Sequence, residues 1–317
     1  MNGENAFWTQ LKEGILAGLK KGWDGFVWMM KIIVPISLCT AIFDWSGLLG
    51  HLDFLLKPLM GWLDLPPAAA LPLIIGMLSS VYGGIAAMSV FPFSTAQMTL
   101  MAVFIMTAHA LIQEGIIQGQ SGIHPLKVTL VRVGAAVVTV LLMAPWVGSS
   151  TVMPAATDGV LPVSPAFLEM IRHWAWTTFR LTAKIFFIIM ALLTLLELLK
   201  AFGWIRPFVR ALEPFLRVMG LDRKVGFLWM TAVIFGLSYG GAIIMEEAKS
   251  GHLSREDLEL LHLSIGTNHS MVEDPPLFLP LGIHPFWLYV PRLVMAIFIV
   301  RLVRLWQRYA RRPRQTA

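Results

Sequence analysis

The 317-residue chain has a single cysteine, Cys39. One thiol cannot build a disulfide framework or a thiolate metal cage within one chain, so both are excluded. Charge is scarce as well: Asp, Glu, Lys and Arg make up 14% of the residues, against roughly a quarter in soluble domains. No Gly-x-x-x-x-Gly-Lys-Ser/Thr stretch occurs, which excludes a P-loop nucleotide site. No nucleophile motif stands out, so an enzymatic reading would rest on His269 and Glu273 alone as acid and base, and it ranks last. No cleavable signal peptide is expected. The first residues read instead as an amphipathic helix, with Phe7, Leu11, Ile15 and Leu19 against Lys12, Lys20 and Lys21.

What the chain has in abundance is apolar surface. Hydrophobic residues reach 56% and the mean hydropathy is +0.70. Several apolar runs attain the roughly 20 residues that a helix needs to cross a bilayer. These features predict an all-α polytopic membrane protein. Most of the 18 methionines read as apolar filler in such a chain, not as a soft-metal path.

The chain is also duplicated. Gly122-Ile123-His124-Pro125 returns as Gly282-Ile283-His284-Pro285, 160 residues later, and Arg132 returns as Arg292 at the same offset. Tyr82-Gly83-Gly84 matches Tyr239-Gly240-Gly241 at an offset of 157, and Lys31 matches Lys184 at 153. An ordered series with a slowly drifting offset marks one fold built from two halves. The expected organisation is an amphipathic helix over 1–24, repeat one over 25–147, a linker over 148–170, repeat two over 171–305 and a basic tail over 306–317.

Charge predicts how the halves lie. Lys12, Lys20 and Lys21 precede the first span, six basic residues fall between Lys200 and Lys224, and the tail from Arg301 to Arg314 is rich in arginine. The segment 148–165 holds no Lys or Arg. The positive-inside rule then puts both termini in the cytoplasm and the linker outside. Each half needs an odd number of crossings yet shows four apolar segments, so one segment per half should enter and return on the same side. The natural choices are the Gly-Gly-broken segments 66–92 and 225–247, as re-entrant hairpins with tips at Tyr82-Gly83-Gly84 and Tyr239-Gly240-Gly241. Plain kinked spans are the alternative. The expectation is an inverted-topology repeat of about six transmembrane helices plus two hairpins.

Within this apolar frame lies a polar cluster, Asn268, His269, Ser270, Glu273 and Asp274. A buried charge at membrane depth costs several kcal/mol by order of magnitude, so such a cluster points to a substrate site more readily than to structure. Its paler copy in repeat one contributes His109, Gln113 and Glu114. Ser79, Ser80, Tyr82, Ser238 and Tyr239 join the candidate binding residues because broken-helix ends expose free N–H and C=O groups. The plainer alternative is that the glycines beside them serve close helix packing. His262 reads as structural, Glu246 with Glu247 as an interfacial acidic pair, and His124 and His284 as turn residues. Arg132 and Arg292 lie seven residues into their helices, too deep to stay unpaired. Arg132 should pair with Glu114, and Arg292 with Glu273 or Asp274, directly or through one water. The alternative is that both guanidiniums cap backbone carbonyls at the breaks.

The duplicated halves, Ser238-Tyr239-Gly240-Gly241 and the run from Asn268 to Asp274 resemble the nucleoside recognition (Gate) domain family. That family is related to gate regions of concentrative nucleoside transporters, to ferrous-iron permeases and to spore maturation proteins. The resemblance covers roughly residues 25–305 and implies transport of a small polar solute, a nucleoside or related metabolite, with no cofactor. A divalent metal such as Fe²⁺ is the second expectation, with His109, Glu114, His269, Glu273 and Asp274 as ligands. A non-transporting membrane scaffold is the expectation from another class. Lipid and solute are the expected partners and nucleic acid is not; homo-oligomers remain open.

Overall fold

The computed structural model describes residues 2–47, 56–148, 166–204, 207, 213–251 and 253–310. All regular structure among them is helical. Half one comprises α1 (Asn2–Trp45), α2 (Leu56–Trp62), α3 (Ala70–Leu78), α4 (Val81–Met88), α5 (Thr95–Ala108), α6 (Leu111–Gln120) and α7 (Pro125–Val147). Half two comprises α8 (Phe167–Ala201), α9 (Glu213–Met219), α10 (Arg223–Ser250), α11 (Arg255–Asn268), α12 (Asp274–Phe278) and α13 (Pro285–Ala310). Five stretches are long and apolar enough to cross a membrane: α1, α5 with α6, α7, α8 and α13. A sixth would be α2 joined to Pro67–Leu78 across an 86° bend. Large apolar side chains such as Leu130, Leu142, Phe187 and Leu302 face outward, as hydrocarbon contact requires. The chain is an all-α polytopic membrane protein.

The helices that open the two halves pack on each other along their length. Gly14, Gly18 and Gly22 recur every fourth residue and so share one face of α1. A Cβ at Gly14 would come 2.9 Å from Leu198, at Gly18 2.4 Å from the Thr194 Cα, and at Gly22 2.6 Å from Met190. Residues without a side chain let the two backbones approach this closely. The numbers climb on α1 as they fall on α8, so these repeat-equivalent helices run antiparallel. This is the geometry of an inverted repeat. Trp174 Nε1 donating to Ser37 Oγ at 3.1 Å and Lys21 paired with Glu197 at 2.8 Å fasten the same contact.

Other equivalences follow. Ser94 caps α5 in a capping box with Gln97, and Ser254 accepts from the Asp257 N–H to cap α11. Pro125 and Pro285 open α7 and α13. The expected boundaries at residues 24 and 305 fall inside helices, because α1 and α13 continue without a break past the membrane-length segments. Most of the linker, 149–165, and the end of the tail, 311–317, lie outside the described residues.

In half one the Gly-Gly-broken segment is a hairpin. A Cβ on Gly84 would lie 3.5 Å from the Gly76 Cα, so α4 folds back along α3. Its tip is displaced from the expected position. The reversal occurs at Ser79 and Ser80, where Ser79 has ψ −86° and the Ser80 hydroxyl caps α4 by accepting from the Gly83 N–H. Tyr82, Gly83 and Gly84 form the first turn of α4. There the glycines permit close approach to Ile36, Ile75 and Ile105. In half two the break in α10 falls at Gly236 (φ 71°, ψ 174°), ahead of Tyr239-Gly240-Gly241. Only glycine adopts that backbone freely.

Gly18→Ala should lower stability by about 1–3 kcal/mol, because its methyl meets the α8 backbone and cannot be relieved by a rotamer change. Gly61→Ala on α2, where nothing lies within 4 Å, should be neutral or slightly stabilising. Unfolding of the two variants in detergent, followed side by side, checks both signs.

Candidate functional site between the two repeats

Each half contains one helix that stops inside the bundle, and the two stops meet. α5 ends at Ala108; His109 is extended (φ −89°, ψ 167°) and Ala110 is left-handed (φ 48°) before α6 begins. α11 ends at Asn268; His269 is extended (φ −66°, ψ 170°) and Ser270 is left-handed (φ 50°). A left-handed residue other than glycine costs about 1–2 kcal/mol, so both breaks must be held from outside.

The hold is on the hydrogen-bonding groups that a broken helix orphans. After the break, the Ala110 N–H donates to Gly76 O at 3.1 Å, and Ser270 N–H donates to Ala232 O at 3.2 Å. Met271 N–H adds a bond to Val233 O at 2.8 Å. The hairpin segments therefore accept from the chain beyond each break. Before the break the carbonyls are taken by arginine. Arg132 donates from Nε to Thr107 O (3.1 Å) and from Nη2 to His109 O (2.8 Å). Arg292 repeats this with Thr267 O (3.3 Å) and His269 O (3.0 Å). The two arginines are 1% and 0% exposed.

The halves differ at the acid. Glu114 forms a fork with Arg132, Oε1 accepting from Nη2 at 2.9 Å and Oε2 lying 2.8 Å from Nη1. Arg292 has no such fork: among the described residues neither Glu273 nor Asp274 forms a direct ion pair with it, and its Nη1 has no hydrogen-bond partner. Asp274 occupies the position of Glu114 but is one methylene shorter. It is also the first residue of α12, just after a three-residue turn, whereas Glu114 is the fourth residue of α6, and the Asp274 Oδ2 points toward His109 at 3.8 Å. Arg132 thus does both things expected of it, and Arg292 only caps carbonyls.

The two histidines touch. His109 Nε2 and His269 Nε2 are 3.1 Å apart, with ring centroids separated by 4.8 Å. Each Nδ1 lies against a carbonyl four residues back, Ile105 O at 3.1 Å and Ile265 O at 2.8 Å. Around this pair opens a cavity of about 320 Å³. Its lining includes His109, Gln113, Glu114, His269, Ser270, Glu273 and Asp274, with Ser80 and Tyr82 from the hairpin. Tyr82 meets Trp28 edge-to-face at 5.4 Å, and both border the cavity.

Other expected residues fall elsewhere. Asn268 is fully buried and does not line the cavity, and neither of its amide atoms has a hydrogen-bond partner. Ser79 is exposed and borders a separate apolar groove. The side chains of Ser238 and Tyr239 lie outside the described residues. His262 is fully buried away from the cavity, His124 and His284 are exposed at helix starts, and Glu246 is exposed near the end of α10. Sequence reasoning missed Trp28, Ile117 and Gly236, which also line the site. Nothing distinguishes Trp28 in an apolar run. Gly236 had a signal, a glycine just before Ser238-Tyr239. Its role is steric: a Cβ there would meet the Ser270 hydroxyl at 2.7 Å.

Comparison with known proteins agrees with this architecture. Residues 26–119, from within α1 almost to the end of α6, match the Gate family model, described as nucleoside recognition. The chain is 26% identical over 303 residues to the uncharacterized membrane protein YvoD of Bacillus subtilis (strain 168), covering 94% of this chain and 97% of that one. No solved structure matches.

The asymmetry of the arginines generates a double-mutant test. Arg132→Leu should cost about 3–5 kcal/mol by leaving Glu114 uncompensated, and adding Glu114→Gln should recover at least about 1 kcal/mol of it. Arg292→Leu with Asp274→Asn should be close to additive. Denaturation of both series in one detergent gives the two coupling energies. Equal coupling in the two halves would contradict the geometry.

Proposed function

Because residues 26–119 match the Gate domain, a type associated with membrane transport, we propose that this chain carries a small polar solute across the membrane through the cavity between its repeats. The observation that carries the reading is the cavity itself. It lies where the broken helices of both halves meet, and it is lined by side chains that hydrocarbon would not tolerate. Irregular backbone at membrane depth is expected only beside protein or a watery cavity, and inverted-repeat transporters bind at such breaks. Chemically, the site offers neutral hydrogen-bonding groups (Gln113, Ser80, Ser270), acids (Glu114, Glu273, Asp274) and an aromatic wall (Trp28, Tyr82).

A nucleoside or related metabolite fits that mixture. Its flat base can lie against the aromatic pair while its hydroxyls bond to the amide and carboxylates. The volume of about 320 Å³ is at the small end of known ligand sites, which favours one compact solute. The charge pattern supports a bacterial-type inner membrane with both termini in the cytoplasm. The basic residues gather before the first span, around 200–224 and at the end of the chain, and none lie in 148–165.

Purified protein in liposomes should take up labelled nucleosides faster than protein-free vesicles. Gln113→Ala should slow uptake about tenfold, the loss of roughly 1.4 kcal/mol. Gln113 borders the cavity, is exposed and makes no side-chain hydrogen bond among the described residues, so folding should survive the change. A panel of polar solutes with no uptake above the protein-free background would leave the scaffold reading in place.

A further inference from the structure

The contact between the two imidazoles does not close chemically as it stands. A carbonyl oxygen only accepts, so each Nδ1 that faces one must carry the proton. In the neutral ring the opposite nitrogen, Nε2, is then a bare lone pair. Both Nε2 atoms are therefore acceptors, and they face each other at 3.1 Å. Two lone pairs at that distance repel unless something positive lies between them.

We propose that a divalent transition-metal ion binds there, held by His109 Nε2, His269 Nε2 and Asp274, with Glu114 beside it. The two histidine nitrogens and Glu114 stand at the separations of ligands around one centre, and Asp274 stands slightly wider, a short side-chain movement from closing on the ion. For metal–ligand bonds of about 2.1 Å, neighbouring ligand atoms stand about 3.0 Å apart at right angles and about 3.4 Å apart at the tetrahedral angle. The histidine nitrogens are 3.1 Å apart, Glu114 Oε1 is 3.3 Å from His269 Nε2 and 3.7 Å from His109 Nε2, and Asp274 Oδ2 is 3.8 Å from His109 Nε2. Candidate ligand atoms of His109, His269 and Asp274 all fall within 4.8 Å of one another.

Three further features fit an ion. Asp274 is 6% exposed, and its Oδ2 has no hydrogen-bond partner among the described residues although it points toward His109. The Nδ1–H to carbonyl bonds are the outer support that fixes the tautomer and ring angle of metal-bound histidines. Imidazole with carboxylate, and no thiolate, suits Zn²⁺, Fe²⁺, Co²⁺ or Ni²⁺ more than Mg²⁺ or Ca²⁺. Arg132 and Arg292 bring two positive charges to the site, and Glu114, Glu273 and Asp274 set three carboxyl groups beside them. One ion takes up a small corner of the cavity and leaves room for a solute beside it. The ion site does not depend on the transport reading, since an ion can bind whether or not anything is carried.

The test uses the full chain in detergent, freed of metal and titrated with Co²⁺, whose visible spectrum reports its ligands. One ion per chain is expected, displaced by Zn²⁺ and not by Mg²⁺. His109→Gln and His269→Gln should each weaken binding about 100-fold or more, beyond the 10–100-fold seen when only outer support is lost. His124→Gln, in an exposed turn, should bind as wild type. X-ray absorption of the Zn²⁺-loaded wild type needs no variant to fold, and it should show two imidazole ligands. Failure of the wild type to bind, or a shell without imidazole, would overturn the site, and the histidines would then share a proton. Undiminished binding by both histidine variants would overturn it as well. Uptake by vesicles is measured separately, so loss of one reading leaves the other standing.

Discussion

The structure depends on how a helix can stop inside a membrane. A helix end leaves carbonyls without partners, and hydrocarbon offers none. Here a buried guanidinium supplies them. Arg132 on α7 and Arg292 on α13 reach back and bond to carbonyls at the ends of α5 and α11. Arginine suits this because its donors are fixed in a planar fork and it keeps its charge. The hairpin segments complete the hold by accepting from the N–H groups beyond each break. Without both clamps, the left-handed residues at 110 and 270 would have nothing to offset their strain.

Once the breaks are held, the site follows. The inverted repeat places the two breaks against each other, and the residues just past each helix end face across the pseudo-axis. The histidines meet there because they occupy the same position in each half. The acids do not repeat so strictly. Glu114 is committed to Arg132, whereas Asp274 is left free to turn toward the histidines. The two halves form a nearly symmetric frame, and Asp274, one methylene shorter than Glu114 and placed at the start of its helix, makes the centre asymmetric.

Packing at the periphery obeys a different rule. α1 and α8 approach through glycine against Thr194 and Met190, since a residue without a side chain lets the two backbones come together. Glycines around the hairpin do related work: Gly76 and Gly84 bring α3 and α4 together against Ile105. The glycines that drew attention in the sequence are thus mostly contact points. The turns themselves fall to Ser79-Ser80 and to Gly236.

The sequence by itself determined the class, the duplication, the inverted order of the halves and most of the polar cluster. Each of these is written in properties that depend on position alone: hydropathy over a bilayer's length, residue identity at a repeated offset, and the sign of charge in loops. It also named Arg132, Glu114, His109, His269 and Asp274, because a polar residue in an apolar run must have a reason. Tertiary structure alone decided which of them touch. The 3.1 Å contact of His109 with His269 joins residues 160 apart. It depends on the angle at which two broken helices cross, which no local pattern records. The same holds for Arg292, whose expected acid has an equivalent place in the chain but forms no direct ion pair with it. Trp28 entered the site because α1 runs beside the hairpin, a matter of packing to which its apolar neighbours in sequence give no clue.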